Sequence, residues 1–144
     1  MPENADALAC RVATHMHSRE GTGPAWGIAI DEMREGYARI SMTIAASMLN
    51  GFSSAHGGMI FALADTAFAY ACNSRNVSSV AQQASIVFLR PAQAGERLLA
   101  EAREQSLVGR AGVYTVTVRN PQGDDVAIFQ GLSRAVGGPV IAEG

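Results

Sequence analysis

Two residues of one predicted helix could do chemistry together, Gly57 and Asp65, and the loop that enters this helix carries Asn50 and His56. Gly57 opens a predicted helix, where backbone N–H groups lack partners within the helix and can bind a polarised or negatively charged oxygen. Asp65 lies eight residues further on among apolar side chains. A carboxylate in such surroundings costs free energy unless it is paired or used. An oxygen-binding N–H and a carboxylate base or nucleophile are the parts of an acyl-transfer site.

Each of these residues also has a structural interpretation. Asp65 could be a structural carboxylate satisfied by polar groups across a dimer. His56 could cap the helix or pack against it, and Asn50-Gly51 is a common turn pair. His15 and His17 lie two residues apart near the end of a predicted N-terminal helix. They would point away from each other with no acidic partner nearby, so no metal site is predicted.

The helix that must position these residues is predicted over Gly57 to Cys72, GGMIFALADTAFAYAC. It is apolar on every side except for Asp65, and a helix of that kind belongs in the middle of a domain. At about 1.5 Å per residue it spans roughly 24 Å, enough to cross a small domain. Phe61 and Phe68 are expected to be core residues of this helix.

The rest of the chain predicts one short helix and six strands. The helix covers residues 4–16, and turns are predicted at 21–24, 32–36 and 120–124. Alternating apolar residues place strands at Trp26–Asp31, Tyr37–Ile44, Ala81–Leu89, Arg97–Leu107, Val113–Arg119 and Val126–Arg134. An antiparallel sheet with one face in water needs another element against which its second face can be buried. We therefore expect one α+β domain over residues 1–144, with a curved antiparallel sheet wrapped around the central helix.

Composition excludes several classes of function. The chain has 144 residues, 48% of them hydrophobic, and a net charge of −2, so it has no basic field for nucleic acid. All 11 cationic residues are arginines, which excludes lysine Schiff-base chemistry. Cys10 and Cys72 make neither a disulfide framework nor a metal site. The N-terminus lacks the apolar run of a signal peptide and no segment suits a membrane span, so we expect a cytoplasmic protein.

The spacing of Gly57 and Asp65 has a consequence for assembly. Eight helical residues separate them by roughly 12 Å, too far for both to act on one carbonyl carbon. Two such helices packed antiparallel about a two-fold axis would bring Gly57 of one chain to Asp65 of the other. The spacing therefore predicts a homo-oligomer with active sites between subunits.

Four motifs now identify a resemblance that runs from about Ala25 to Gly138. They are NGxxxxHGGxxFxLADxAFAYACNS, FLRPAxxGExLxAEA, GRxGVYxVxVxN and VAxFxG. The chain resembles the phenylacetate-pathway thioesterases of the hotdog superfamily, the PaaI type. The resemblance implies a hotdog fold, a homodimer or homotetramer, and hydrolysis of small aromatic acyl-CoA thioesters such as phenylacetyl-CoA or hydroxyphenylacetyl-CoA. It implies neither a metal nor a redox cofactor.

The resemblance also implies roles for the candidate residues. Gly57 would polarise the thioester carbonyl through its backbone N–H, and Asp65 would act as nucleophile or as base for water. Asn50 and His56 would line and orient the site. Where relatives in other hotdog branches carry a hydroxyl one turn beyond the carboxylate, this chain has Ala69, and Thr66 is the nearest hydroxyl.

Binding of coenzyme A and the alternative functions rest on other residues. Arg90 and Arg110 are candidates for binding the CoA phosphates, because guanidinium groups suit phosphate, and Gly109 goes with Arg110. The alternative interpretation is that both arginines are ordinary surface charges.

A hotdog dehydratase or hydratase would need a histidine and a carboxylate as a proton-transfer pair. A non-catalytic acyl-CoA-binding module would keep the glycines and arginines but would not need Asp65.

Overall fold

One long helix held by a six-stranded antiparallel sheet dominates the computed structural model, which describes residues 3–142. The sheet order is β1-β2-β4-β5-β6-β3. The helices are α1 (Ala5–Arg19), α2 (Thr22–Trp26) and α3 (Gly57–Cys72). The strands are β1 (Ala29–Arg34), β2 (Tyr37–Thr43), β3 (Ser79–Phe88), β4 (Arg97–Val108), β5 (Ala111–Arg119) and β6 (Asp125–Ala135).

The sheet curves around α3, which packs against the five strands β2 to β6. Five strands spaced about 4.8 Å apart are roughly 19 Å wide, whereas a helix is about 10 Å across, so the strands must curl to reach it. The inward residues follow the period of two expected of a strand: Gly112, Tyr114, Val116 and Val118 of β5 are all buried. They meet a core on α3 that includes Leu63, Ala64, Ala67 and Phe68.

Helix α1 is capped at its first turn and held to α3 at its last. Asn4 caps it by accepting a hydrogen bond from the N–H of Ala7 at 2.7 Å. At the other end, the carboxylate of Glu20 accepts a hydrogen bond from the hydroxyl of Tyr70, which is fully buried in α3. Burial and the nearby Glu20 raise the pKa of Tyr70, so this hydroxyl stays a donor. α1 therefore covers the C-terminal half of α3.

The predicted α+β architecture is confirmed, and α3 has the predicted bounds. The strand predicted at Trp26–Asp31 is wrong in its first residues, because Trp26 belongs to α2 and β1 begins at Ala29. Gly27 adopts φ +66° and ends α2 with a left-handed cap. The turn predicted at 21–24 forms the start of α2, and the one predicted at 32–36 shrinks to residues 35–36. Gly36 at φ +72° makes that tight turn possible.

Two neighbouring surfaces of the molecule are left uncovered. β3 is an edge strand that pairs, among the described residues, with β6 alone, and it exposes Val80, Val87 and Phe88. Beside it, one side of the otherwise buried α3 is only half-buried. We call this side the open stripe; it consists of Phe61, Ala62, Asp65, Thr66 and Ala69. An apolar edge strand next to an uncovered helix side is a surface that folded proteins normally cover.

Candidate active site

Asn50 organises the loop that leads into α3. Its side-chain oxygen accepts hydrogen bonds from the N–H groups of Phe52 at 2.9 Å and Ser54 at 3.2 Å. Because both partners are donors, the atom facing the loop must be the oxygen, and the amide NH₂ group is directed elsewhere. Ser53 takes the left-handed conformation, φ 58°, which lets the loop close this tightly. The side-chain oxygen of Asn50 thus holds the loop together, and its NH₂ group can still donate hydrogen bonds.

His56 is the N-cap of α3. Its ring nitrogen Nδ1 accepts a hydrogen bond from the N–H of Gly58 at 2.9 Å. A neutral ring with an accepting Nδ1 carries its proton on Nε2, so the exposed side of the ring is a donor. Within residues 3–142 the N–H of Gly57 makes no such hydrogen bond. The cap therefore occupies one N–H at the helix start and leaves its neighbour available for an acceptor.

Gly57 lies at the wall of an open cavity of about 400 Å³, which also includes Asn50, Phe52, Phe88 and Arg90. A Cβ at Gly57 would stand 3.1 Å from the Phe88 ring, so any larger residue would push this ring slightly away from the helix start. Arg90 donates a hydrogen bond to the backbone carbonyl of Asp125 at 2.9 Å. Its guanidinium group is held at the rim of the cavity, where a phosphate could approach it.

Asp65 lies on the open stripe, two turns beyond Gly57. Its side chain makes no hydrogen bond or ion pair with any residue of the described chain, although it is half-buried. Burial raises the pKa of Asp65 above its ordinary value, and no neighbouring charge offsets this. Thr66 next to it donates its hydroxyl proton to the carbonyl of Ala62 at 2.7 Å. Thr66 can therefore offer a water molecule only an acceptor.

Gly109 and Arg110 lie at the opposite end of α3 from Gly57. They border an enclosed cavity of about 160 Å³ together with Cys72, Tyr114 and Ser133. Burial and the nearby Asp65 carboxylate raise the pKa of the Cys72 thiol to about 12, so it stays protonated and inert. Arg75 and Tyr114, which line this cavity, donate hydrogen bonds to the Glu104 carboxylate at 2.5 Å and 3.1 Å.

The structure brings together some of the predicted site residues and separates others. Asn50, Gly57 and Arg90 border one cavity, and His56 is adjacent to it in the chain. Asp65 lies about 12 Å along the helix from Gly57 at 1.5 Å per residue. Arg110 lies beyond Asp65, near the helix end. A single chain therefore keeps the Gly57 N–H and the Asp65 carboxylate apart.

Phe88 is the site residue that sequence reasoning missed. It follows Ala84 and Ile86 at a period of two on the side of β3 that faces the helix, and that period is visible in the sequence. What the period could not predict is that its ring meets Gly57.

The described residues hold no cluster of metal-ligating side chains. His17, one of the two histidines near the end of α1, has its Nε2 atom 2.8 Å from the backbone carbonyl oxygen of Ile28.

Known proteins resemble this chain over most of its length. The model of the Thioesterase superfamily matches residues 52–127. The acyl-coenzyme A thioesterase PaaI of Escherichia coli (strain K12) is 45% identical over 128 residues, which are 89% of this chain and 91% of that protein. The solved structure of the E. coli PaaI protein from the phenylacetic acid degradation operon has a TM-score of 0.93 at 43% identity, covering 94% of this chain and 99% of the other.

A second solved structure is similar: a mutant of the phenylacetic acid degradation protein PaaI from Thermus thermophilus. Its TM-score is 0.78 at 34% identity, covering 81% of this chain and 100% of the other. The chain belongs to the thioesterase superfamily, and its architecture is the hotdog fold. No helix among the described residues is long and apolar enough to span a membrane.

Proposed function

We propose that this chain hydrolyses acyl-CoA thioesters with a small aromatic acyl group, at sites shared between two copies of the chain. The observation that carries the proposal is the pair of unused groups on α3. One is the N–H of Gly57 at the helix start, and the other is the half-buried carboxylate of Asp65. The class of substrate follows from the similarity to PaaI of E. coli, an acyl-coenzyme A thioesterase.

Two copies related by a two-fold axis complete the site. The open stripe and the edge of β3 are both uncovered in the single chain, and α3 packs against β3, so one partner could cover both. If the two α3 helices run antiparallel, Gly57 of one copy meets Asp65 of the other, and the arrangement occurs twice. Such a dimer is the unit we propose, and by family resemblance two dimers form a tetramer.

The chemistry uses the two halves in different roles. The thioester carbonyl oxygen accepts the Gly57 N–H, and the partial positive charge at the start of α3 stabilises the negative charge that develops on it. Asp65 of the second copy either attacks the carbonyl carbon or takes a proton from an attacking water. Its raised pKa makes the carboxylate a better base than an exposed one. Water is consumed, the C–S bond breaks, and the products are a free acid and CoA.

The remaining candidates surround this centre. The NH₂ group of Asn50 and the Nε2–H of His56 are donors beside Gly57 that can orient the thioester. In the antiparallel pair, the cavity with Arg90 in one copy lies beside the Gly109–Arg110 hairpin of the other. We propose that both arginines bind the phosphates of CoA, because guanidinium groups bind phosphate in a bidentate way. The leaving group is a thiolate, so the reaction needs neither a metal ion nor a redox cofactor.

Subunit complementation tests the shared site. Asp65→Asn removes the carboxylate, and Gly57→Val keeps the backbone N–H but blocks the approach to it with a branched side chain, so each homodimer should be inactive on phenylacetyl-CoA. In a mixed dimer, one site carries both substitutions and the other carries neither. Random mixing should therefore restore about a quarter of the wild-type activity. Release of free thiol from phenylacetyl-CoA measures this.

The outcomes separate the alternatives. Mixtures that stay inactive while mass measurement detects mixed dimers would overturn the shared site. A wild-type protein that binds phenylacetyl-CoA and releases no thiol would identify an acyl-CoA-binding module instead. A matched control mixes two Asp65→Asn preparations that carry different tags, which should stay inactive.

A further inference from the structure

Phe61 is the one bulky side chain on the open stripe of α3. Its neighbours there are two alanines, an aspartate and a threonine: Ala62, Asp65, Thr66 and Ala69. One side of the Phe61 ring packs against the fully buried Phe129, with ring centroids 5.3 Å apart and the planes at 66°. Such edge-to-face contacts are favourable. The ring is thus anchored against the core and remains only partly exposed in the single chain.

The proposed pairing places this ring at the two-fold axis. If Gly57 of one copy faces Asp65 of the other, the residue midway between them faces itself, and that residue is Phe61. Each Asp65 is four residues from Phe61, or about 6 Å along the helix. The two Phe61 rings therefore stand between the two reaction centres of a dimer.

The direction of the substrate follows from the cavity beside Gly57. Phe52 and Arg90 line that cavity together with Gly57. CoA occupies this cavity if Arg90 binds a phosphate. The acyl group on the other side of the carbonyl then points inward, past Asp65 and toward Phe61. The small side chains around Asp65 leave width there for a flat ring.

We propose that Phe61 determines which acyl groups are accepted, by closing the inner end of the acyl pocket; this rests on the proposed function. About 6 Å separates the reaction centre from the ring. One methylene and one six-membered ring extend about 5 Å beyond a carbonyl carbon at roughly 1.5 Å per bond. A straight chain of about ten carbons extends about twice as far. A phenyl ring therefore reaches Phe61 and must lie against its ring, whereas an acyl chain of about ten carbons would have to displace the Phe61 ring to be bound.

Substitution of Phe61 tests this assignment. The measurement is kcat/KM for phenylacetyl-CoA and for decanoyl-CoA, in the wild type and in Phe61→Ala. Opening the pocket should shift the ratio toward decanoyl-CoA by at least about 10-fold, the lower range for a change in an apolar pocket. Phe61→Leu keeps most of the packing on Phe129 and should shift the ratio in the same direction. If Phe61→Ala does not fold, the ratio measured for Phe61→Leu is the test of this assignment.

Phe68→Leu is the matched control, because Phe68 lies two turns further along the same helix and is buried against Phe129 and Tyr114. It should leave the ratio unchanged. The assignment is overturned if folded Phe61 variants keep the wild-type ratio, if Phe68→Leu shifts it equally, or if the wild type already prefers decanoyl-CoA. A wild type that cleaves neither thioester would contradict the proposed function itself, whereas an active wild type with an unchanged ratio contradicts only the role of Phe61.

Discussion

The ring of His56 accepts the N–H of Gly58 at 2.9 Å, and this one hydrogen bond determines which donor at the start of α3 is available. The first turn of any helix has several N–H groups without helical partners. The His56 cap satisfies one of them and leaves that of Gly57 directed at the cavity beside Asn50 and Phe88. If Gly57 binds the substrate carbonyl as we propose, the His56 cap selects the backbone group that does so.

Asp65→Asn should abolish most of the hydrolysis of phenylacetyl-CoA. The amide keeps the shape of the side chain but is neither a nucleophile nor a base, so kcat should fall by at least about 10²-fold. Binding of acyl-CoA should remain. The measurement is steady-state thiol release, and exposed Asp124→Asn on the β5–β6 hairpin is the control expected to behave as wild type. Near wild-type turnover by Asp65→Asn would contradict the proposed mechanism.

The same substitution should not destabilise the fold at neutral pH. Burial raises the pKa of Asp65 in the folded chain above its unfolded value, so ionising it disfavours folding. This cost is fully present above the folded pKa and disappears as the pH falls toward the unfolded pKa. Asp65→Asn should therefore match or exceed the wild-type thermal midpoint at pH 7, and the difference should shrink near pH 4. A midpoint clearly below that of wild type at pH 7 would assign Asp65 a structural role.

Gly57→Ala should lower activity with little effect on assembly. The added methyl group would stand 3.1 Å from the ring of Phe88, beside the N–H that we propose binds the carbonyl oxygen. We expect kcat to fall by about 10-fold or more, a part of what the loss of one oxyanion donor costs. Gly51→Ala is the control in the same loop, since its Cβ would meet no atom within 4 Å. Equal activities of the two variants would remove Gly57 from the site.

Arg90→Ala and Arg110→Ala should each raise KM for phenylacetyl-CoA. They should leave kcat unchanged for a truncated thioester without the nucleotide, because binding far from the reacting carbon has been removed. Exposed Arg19→Ala on α1 provides a control arginine. Unaltered acyl-CoA kinetics in the double variant would mean that the phosphates bind elsewhere.

Periodicity alone predicts much of this fold, because α3 is apolar on nearly every side and the strands alternate. The start of β1 is not predictable in this way, because a left-handed Gly27 ends a short helix there and nothing in the local pattern distinguishes that glycine from one in a turn. Gly57 and Asp65 are candidates from the sequence pattern because they open and interrupt an apolar helix, whereas Asn50 and His56 are candidates through the family resemblance. The contact of Phe88 with Gly57 could not be predicted, since it joins residues of different elements.

The open edge of β3 also bears on how the protein reaches its working form. A newly folded single chain presents unpaired backbone groups together with Val80, Val87 and Phe88. Edges of this kind pair with whatever strand they meet first. Refolding should therefore include a step whose rate depends on chain concentration, with correct pairing in competition with aggregation. The yield of active enzyme would then be limited by the encounter of two chains and not by the folding of one.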